Sequence, residues 1–208
     1  EAQALYRQVL QLIPSQADAL HMLGVTEFQH GHYDAAFNLL DKASLLLPRN
    51  DGVHFNRGNA LRALMRLDEA AAAFRTAIRL RPDNLDALKN LGNVLKEQNR
   101  FEEALACYDE ILAIDGEEPY TRYNKAIALL TTGRLEQGWD LYEERLRCDL
   151  GDGGHAAHAM PAYAPVWQGE SLAKPLLVLP EQGLGDQIFY GAMFADLQAA
   201  SMASIACV

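Results

Sequence analysis

The chain has 208 residues, half of them apolar, with 18 basic and 28 acidic side chains and a formal net charge of −10. That length suits one or two domains with a sizeable core, and the acidic balance lacks the basic surface that phosphate-backbone binding needs, so nucleic acid and anionic membrane are excluded as expected partners. Three scattered cysteines, Cys107, Cys148 and Cys207, form no CxxC and no disulfide framework.

No apolar run approaches the roughly 18 residues of a membrane span, and no basic-then-apolar leader opens the sequence. A reducing, cytoplasmic location is the expectation. The first residue is Glu1 rather than Met, so a trimmed or processed start is expected too.

Residues 1–14 read as the second helix of a partial repeat, with Tyr6, Val9 and Pro14 in register with the later second helices. From there a 34-residue period governs the chain. Pro14, Pro48 and Pro82 keep it, as do Gly24, Gly58 and Gly92, with Ala126 next. Ala36, Ala70 and Ala104 keep it as well, followed by Gly138, and Leu40, Phe74, Tyr108 and Tyr142 form a fourth register.

Each period reads as two helices. Ala87–Leu95 carries the small residue of the first, Gln98-Asn99-Arg100 is a polar turn, and Ala104, Tyr108, Ile111 and Leu112 mark the second at helical spacing. Proline after the second helix ends it. The glycines predict close helix packing, with the alanines answering from the second helix, because a helical glycine costs roughly 1 kcal/mol that only such packing offsets.

These registers resemble the tetratricopeptide-repeat (TPR) family. The resemblance implies an all-α solenoid of stacked antiparallel helix pairs, a protein-binding scaffold over residues 15–150 with repeats at about 17–50, 51–84, 85–118 and 119–152. The last two depart from the pattern: Asp115-Gly116 stands where Pro82 stood one period earlier, and Arg145 and Arg147 replace small or apolar residues.

First helices of such a stack line a concave groove. Asn56, Asn90 and Asn124 share one register there, broken by Met22, and Asn59 and Asn93 come a turn later. A carboxamide offers donors and an acceptor, so it can pair with a peptide backbone without reading its sequence. The column is similar to the asparagine ladder of O-linked N-acetylglucosamine transferase TPRs, most closely over Asn90–Gln98, and implies an extended polypeptide as ligand. The bland alternative is that these side chains suit a solvated face or bond neighbouring helices. Phe55, Lys89, Lys96, Glu97, Tyr120 and Tyr123 are expected to face the same groove. Tyr120 and Tyr123 read equally as aromatic anchors and as core residues closing the last repeat.

Residues 151–175 read as a linker, Gly-rich at first. Its His155 and His158 have no further Cys or His to complete a metal site, and His30 and His32 read as plain polar turn residues; no metal is expected. Then Leu176–Leu179 suits a buried parallel strand, Glu181–Asp186 a glycine loop, Ile188–Leu197 a helix and Ser204–Val208 a second strand: a βαβ unit. Gly183 and Gly185 would let a phosphate or sugar approach the backbone at a helix N-terminus. Ile188 stands where the third glycine of GxGxxG belongs and no Gly-Lys-Ser/Thr comes after it, so neither the dinucleotide fingerprint nor a Walker A loop is present.

Trp167, Gly169, the strand at 176–179 and Glu181–Asp186 resemble bacterial heptosyltransferase-like domains of GT-B architecture that occur after TPRs. Residues 176–208 would then be the start of a truncated Rossmann-like glycosyltransferase domain. The resemblance implies Asp186 as catalytic base toward an acceptor hydroxyl; as a plain residue it is a helix cap. No cofactor is expected in this chain, and a nucleotide-sugar donor belongs to the missing half of such an enzyme. The chain therefore reads as a fragment of a longer protein, inactive alone, or as a tail that is partly disordered or packed on the solenoid. The rivals to a targeting module are a scaffold without chemistry and self-association through the ends of the stack.

Overall fold

The computed structural model describes residues 2–142 and 144, and the backbone of 176–178 and 205–207. Nine helices are described. α1 is Ala2–Leu12, α2 Ala17–Gln29, α3 Tyr33–Leu46, α4 Asp51–Ala63 and α5 Leu67–Leu80. α6 is Leu85–Glu97, α7 Phe101–Ile114, α8 Pro119–Thr131 and α9 Leu135–Tyr142. First helices thus start at 17, 51, 85 and 119, and second helices at 33, 67, 101 and 135. The chain divides into two compact units, 1–144 and 145–208.

The period is written into the caps. Gln16, Asn50, Asn84 and Glu118 each precede a first helix and accept a hydrogen bond from one of its first free amides. At the other end, Gly31, Met65, Asn99 and Gly133 all lie at positive φ, 79°, 58°, 60° and 80°. The bonds around them, such as Met65 N–H to Arg62 O and Arg66 N–H to Leu61 O, form a left-handed helix stop that leads at once into the next helix. The prolines are secondary: α7 ends at Ile114 without one, its cap amide at Asp115 bonding Ile111 O.

The glycines also make room for a large side chain of the second helix. A β-carbon on Gly58 would lie 2.6 Å from the Phe74 ring, one on Gly92 2.6 Å from Tyr108 and one on Gly24 2.7 Å from Leu40. Each first helix gives up a side chain to admit the large residue sixteen positions later. Ala36, Ala70 and Ala104 are fully buried nearby. The fourth repeat inverts the device, with Gly138 on the second helix against Leu130 of the first.

One apolar core runs through the middle of the stack, from Leu61 and Phe74 through Leu95 and Tyr108 to Leu129. Smaller clusters sit under α2–α4. Each helix packs on the next, and α2, α4, α6 and α8 also touch one another in succession, so first helices form a continuous inner face.

In the second unit, Leu176–Val178 (β1) pairs in parallel with Ile205–Cys207 (β2), Leu176 opposite Ile205. The glycine loop, the expected helix at 188–197 and the linker lie outside the described residues, as do Gly183, Gly185, Asp186, His155 and His158.

Candidate functional site: the first-helix face

The inner face is sewn together by polar side chains that bridge consecutive first helices. From α4, Asn56 meets His21 of α2 at 2.9 Å. From α6, Asn90 Nδ2 donates to Asn59 Oδ1 at 2.9 Å, and Glu97 accepts both Nε and Nη2 of Arg62. Between α6 and α8, Lys89 reaches Glu118 at 3.3 Å and lies 5.7 Å from the centre of the Tyr120 ring. Lys96 donates to Asn124 Oδ1.

The five asparagines fall into two kinds. Asn56, Asn59 and Asn90 are half-buried. Asn93 and Asn124 are only 3% and 4% exposed, and both ends of each carboxamide are engaged inside the stack. Asn93 accepts from the Tyr108 hydroxyl at 3.1 Å and donates toward the Tyr120 hydroxyl at 3.4 Å. Asn124 donates to the Tyr120 carbonyl while accepting from Lys96. These two carboxamides order the face from beneath.

The remaining predicted residues divide likewise. Phe55 packs on Phe74, with ring centres 5.9 Å apart, and joins the main core. Tyr123 packs on Tyr142 at 5.8 Å, which Trp139 meets edge-on at 5.2 Å. Tyr120 is half-buried, between Lys89 and Asn93. Burial pushes the Lys96 ammonium below its usual range, with Glu97 pulling it back and Arg62 adding to the fall. Burial of the Tyr108 hydroxyl raises its pKa, which keeps it a neutral donor to Asn93.

Sequence reading placed Glu97 on this face but missed His21, Glu118 and Arg62, the partner of Glu97. The offsets held a signal, since residues 35 apart on first helices sit side by side across the joint (21 and 56, 62 and 97). Chemically, the face offers half-fixed carboxamides and two lysines, Lys89 beside the Tyr120 ring and Lys96 on Asn124. Among the described residues no group of three or more His, Cys, Asp or Glu side chains is placed to hold a metal ion, and no helix is long and apolar enough to cross a membrane.

A row of capped helix pairs with a polar inner face defines an α-helical repeat scaffold. Tetratricopeptide-repeat models match residues 16–44, 55–119 and 90–149, and the helical unit belongs to the TPR family. Protein FlbA of Caulobacter vibrioides is 34% identical over 77 residues, which are 36% of this chain and 12% of FlbA, so the match spans a small part of that relative. Among solved structures, MamA superposes with a TM-score of 0.66 at 21% identity over 70% of this chain and 79% of its own. YrrB, a TPR protein with an unusual peptide-binding site, gives 0.60 at 19% identity over 72% and 76%. The first TPR of Spaghetti (RPAP3), bound to an HSP90 peptide, gives 0.55 at 21% over 57% and 94%. At these identities the likeness is one of fold.

Proposed function

We propose that this TPR stack holds an extended segment of another protein against its first-helix face. The observation that carries the reading is the row Asn56, Asn59 and Asn90. These carboxamides are half-buried, and each is tied at one end to the neighbouring helix. A side chain fixed by one bond loses little further entropy when its other end pairs with a ligand. Peptide binding in YrrB and in the Spaghetti TPR agrees with this use of the fold.

In the longer protein, the stack is the targeting part of a nucleotide-sugar-dependent glycosyltransferase. The parallel pairing of β1 with β2 supports this reading, because parallel strands require a crossover connection, for which 179–204 supplies ample chain. Asp186 would be the base, with Gly183 and Gly185 at the phosphate or sugar. The test has two arms. Fluorescence anisotropy against a library of extended peptides should select binders that weaken at least about tenfold in the Asn59→Ala/Asn90→Ala variant (about 1.4 kcal/mol), with helicity unchanged. In the full-length protein, Asp186→Ala should abolish sugar transfer and leave peptide binding intact. Equal peptide affinity in the asparagine variant overturns the groove, and transfer that survives Asp186→Ala overturns the base.

The stack's ends favour a second reading, a scaffold that associates with itself. Trp139 of α9 is 56% exposed, whereas Leu105 at the same register of α7 is 4% exposed. Light scattering over a concentration series should show association that Trp139→Glu removes, and monomers throughout would dismiss it.

A further inference from the structure

A run of hydrogen bonds crosses the stack where α6, α7 and α8 meet. The Tyr108 hydroxyl, on a fully buried side chain, donates to Asn93 Oδ1 at 3.1 Å. The same carboxamide donates from Nδ2 to the Tyr120 hydroxyl at 3.4 Å. The run ends there, on a half-buried ring of α8. Its three members coincide once in the described repeats. Leu40 and Phe74 hold the register of Tyr108 without a hydroxyl, Val25 and Ile127 flank the asparagines in the register of Asn93, and Asp18, Gly52 and Asp86 hold that of Tyr120. Packing does not require the Tyr108 hydroxyl, because Phe74 fills the same gap one repeat earlier.

The order of donors gives the run a direction. Burial raises the pKa of Tyr108, so the hydroxyl keeps its proton and the Asn93 oxygen is turned toward it. The Asn93 amino group then faces Tyr120, whose oxygen accepts. A phenol has one proton to donate, and no described residue accepts the one on Tyr120. The residue is held at its main chain too, where its carbonyl accepts from Asn124 Nδ2 at 2.8 Å. A donor aligned in this way loses little entropy when a ligand takes its proton.

We propose that Tyr120 presents its hydroxyl proton to a backbone carbonyl of the bound segment, and that Tyr108 is the positioning residue that sets this direction through Asn93. The inference rests on the groove reading above and adds to it a donor of fixed polarity beside the asparagine row. An extended segment offers a carbonyl at every residue, so the contact holds the chain without reading its sequence.

Fluorescence anisotropy on the full chain, with an extended peptide selected by the wild-type protein, tests this. Tyr120→Phe keeps the ring, removes only the donor, and should weaken binding about fivefold, the size of one neutral hydrogen bond. Tyr108→Phe frees the carboxamide to turn and should weaken it about twofold, part of the same bond. The double variant should bind no more weakly than Tyr120→Phe alone, because Tyr108 acts only through Tyr120. In the free protein, Tyr108→Phe should shift the NMR signals of the Tyr120 ring. Unchanged affinity in Tyr120→Phe, while Asn59→Ala/Asn90→Ala still weakens binding, keeps the groove and overturns the donor. Losses that add in the double variant, or Tyr120 signals that stay in place, reduce Tyr108 to a core residue and overturn the relay. An effect of Tyr120→Phe that vanishes when one acidic residue of the peptide becomes alanine moves the acceptor to a side chain and overturns the backbone contact. A wild-type protein that binds no peptide removes the groove reading and this inference with it.

Discussion

The middle of the stack and its two ends are written in the same registers and bury them differently. Leu105 and Trp139 share a register, as do Ile111 and Val9, yet in each pair only the residue in the middle is covered. The difference lies in the neighbour. A second helix in the interior is closed by its own first helix on one side and by the next repeat on the other. Among the described residues, α1 lacks the first and α9 the second. Stability in such arrays is a sum over nearest-neighbour interfaces, so one substitution should have a graded effect along the chain.

The largest expected effect comes from the residue that fills the glycine gap. Phe74→Ala removes a fully buried ring held against Gly58 and Phe55 and should cost about 3–5 kcal/mol in urea unfolding. Tyr6→Ala, same register but half-buried on α1, should cost about 1 kcal/mol or less. Equal losses would refute the dependence on neighbours. The caps repeat the contrast more weakly. Asn84 is buried, caps α6 through Ala87 N–H and donates to Asp51, so Asn84→Ala should lose about 1–2 kcal/mol. Gln16→Ala, whose one capping bond is exposed, should lose about 0.5 kcal/mol at the low end of that range.

The stack was legible in the sequence because its period is enforced by backbone chemistry. Small residues, turn residues and prolines recur where the chain has no freedom, and four registers agree. What the small residues face was not legible in full: only the packing shows that Gly92 lies against the Tyr108 ring. The asparagine column shows a similar limit. Sequence places Asn93 and Asn124 beside Asn59 and Asn90, but Tyr108 and Tyr120 reach only the deeper pair. Glu27 could have been found, since a carboxylate at the register of three leucines is visible in the sequence alone. Its partners Gln3 and Arg7 could not, because which α1 side chains reach residue 27 is set by how α1 packs on α2.

Turns offer a smaller test of the same registers. Met65 holds a left-handed conformation where Gly31 and Gly133 do so freely, and its side chain is 72% exposed. That conformation costs an ordinary residue about 1–2 kcal/mol. Glycine would give back about 0.4–1 kcal/mol through added freedom in the unfolded chain. Met65→Gly should therefore gain about 0.5–1 kcal/mol, read as a higher urea midpoint with an unchanged slope.

Acid should separate the first joint from the interior most gently. His32 and Arg7 hydrogen bonds, helped by Gln3, hold the Glu27 carboxyl down to about 2 from an ordinary 4.5, against the desolvation that would raise it. A depressed carboxylate contributes stability that is complete above its unfolded value and is lost as pH falls toward the folded one. The contribution of Glu27 should thus fade between about pH 4.5 and 2. Followed by amide NMR, the Ala4–Leu10 signals should leave their native positions across that window before those of α5 and α6 do. Glu103 also has a lowered pKa, chiefly through its hydrogen bond from Arg100, but it is a surface pair whose loss is screened by solvent. In Glu27→Gln the α1 signals should already be displaced at pH 7 and show no further step. A step that persists in Glu27→Gln would assign the acid sensitivity of α1 to some other carboxylate, because no group remains at residue 27 to take up a proton.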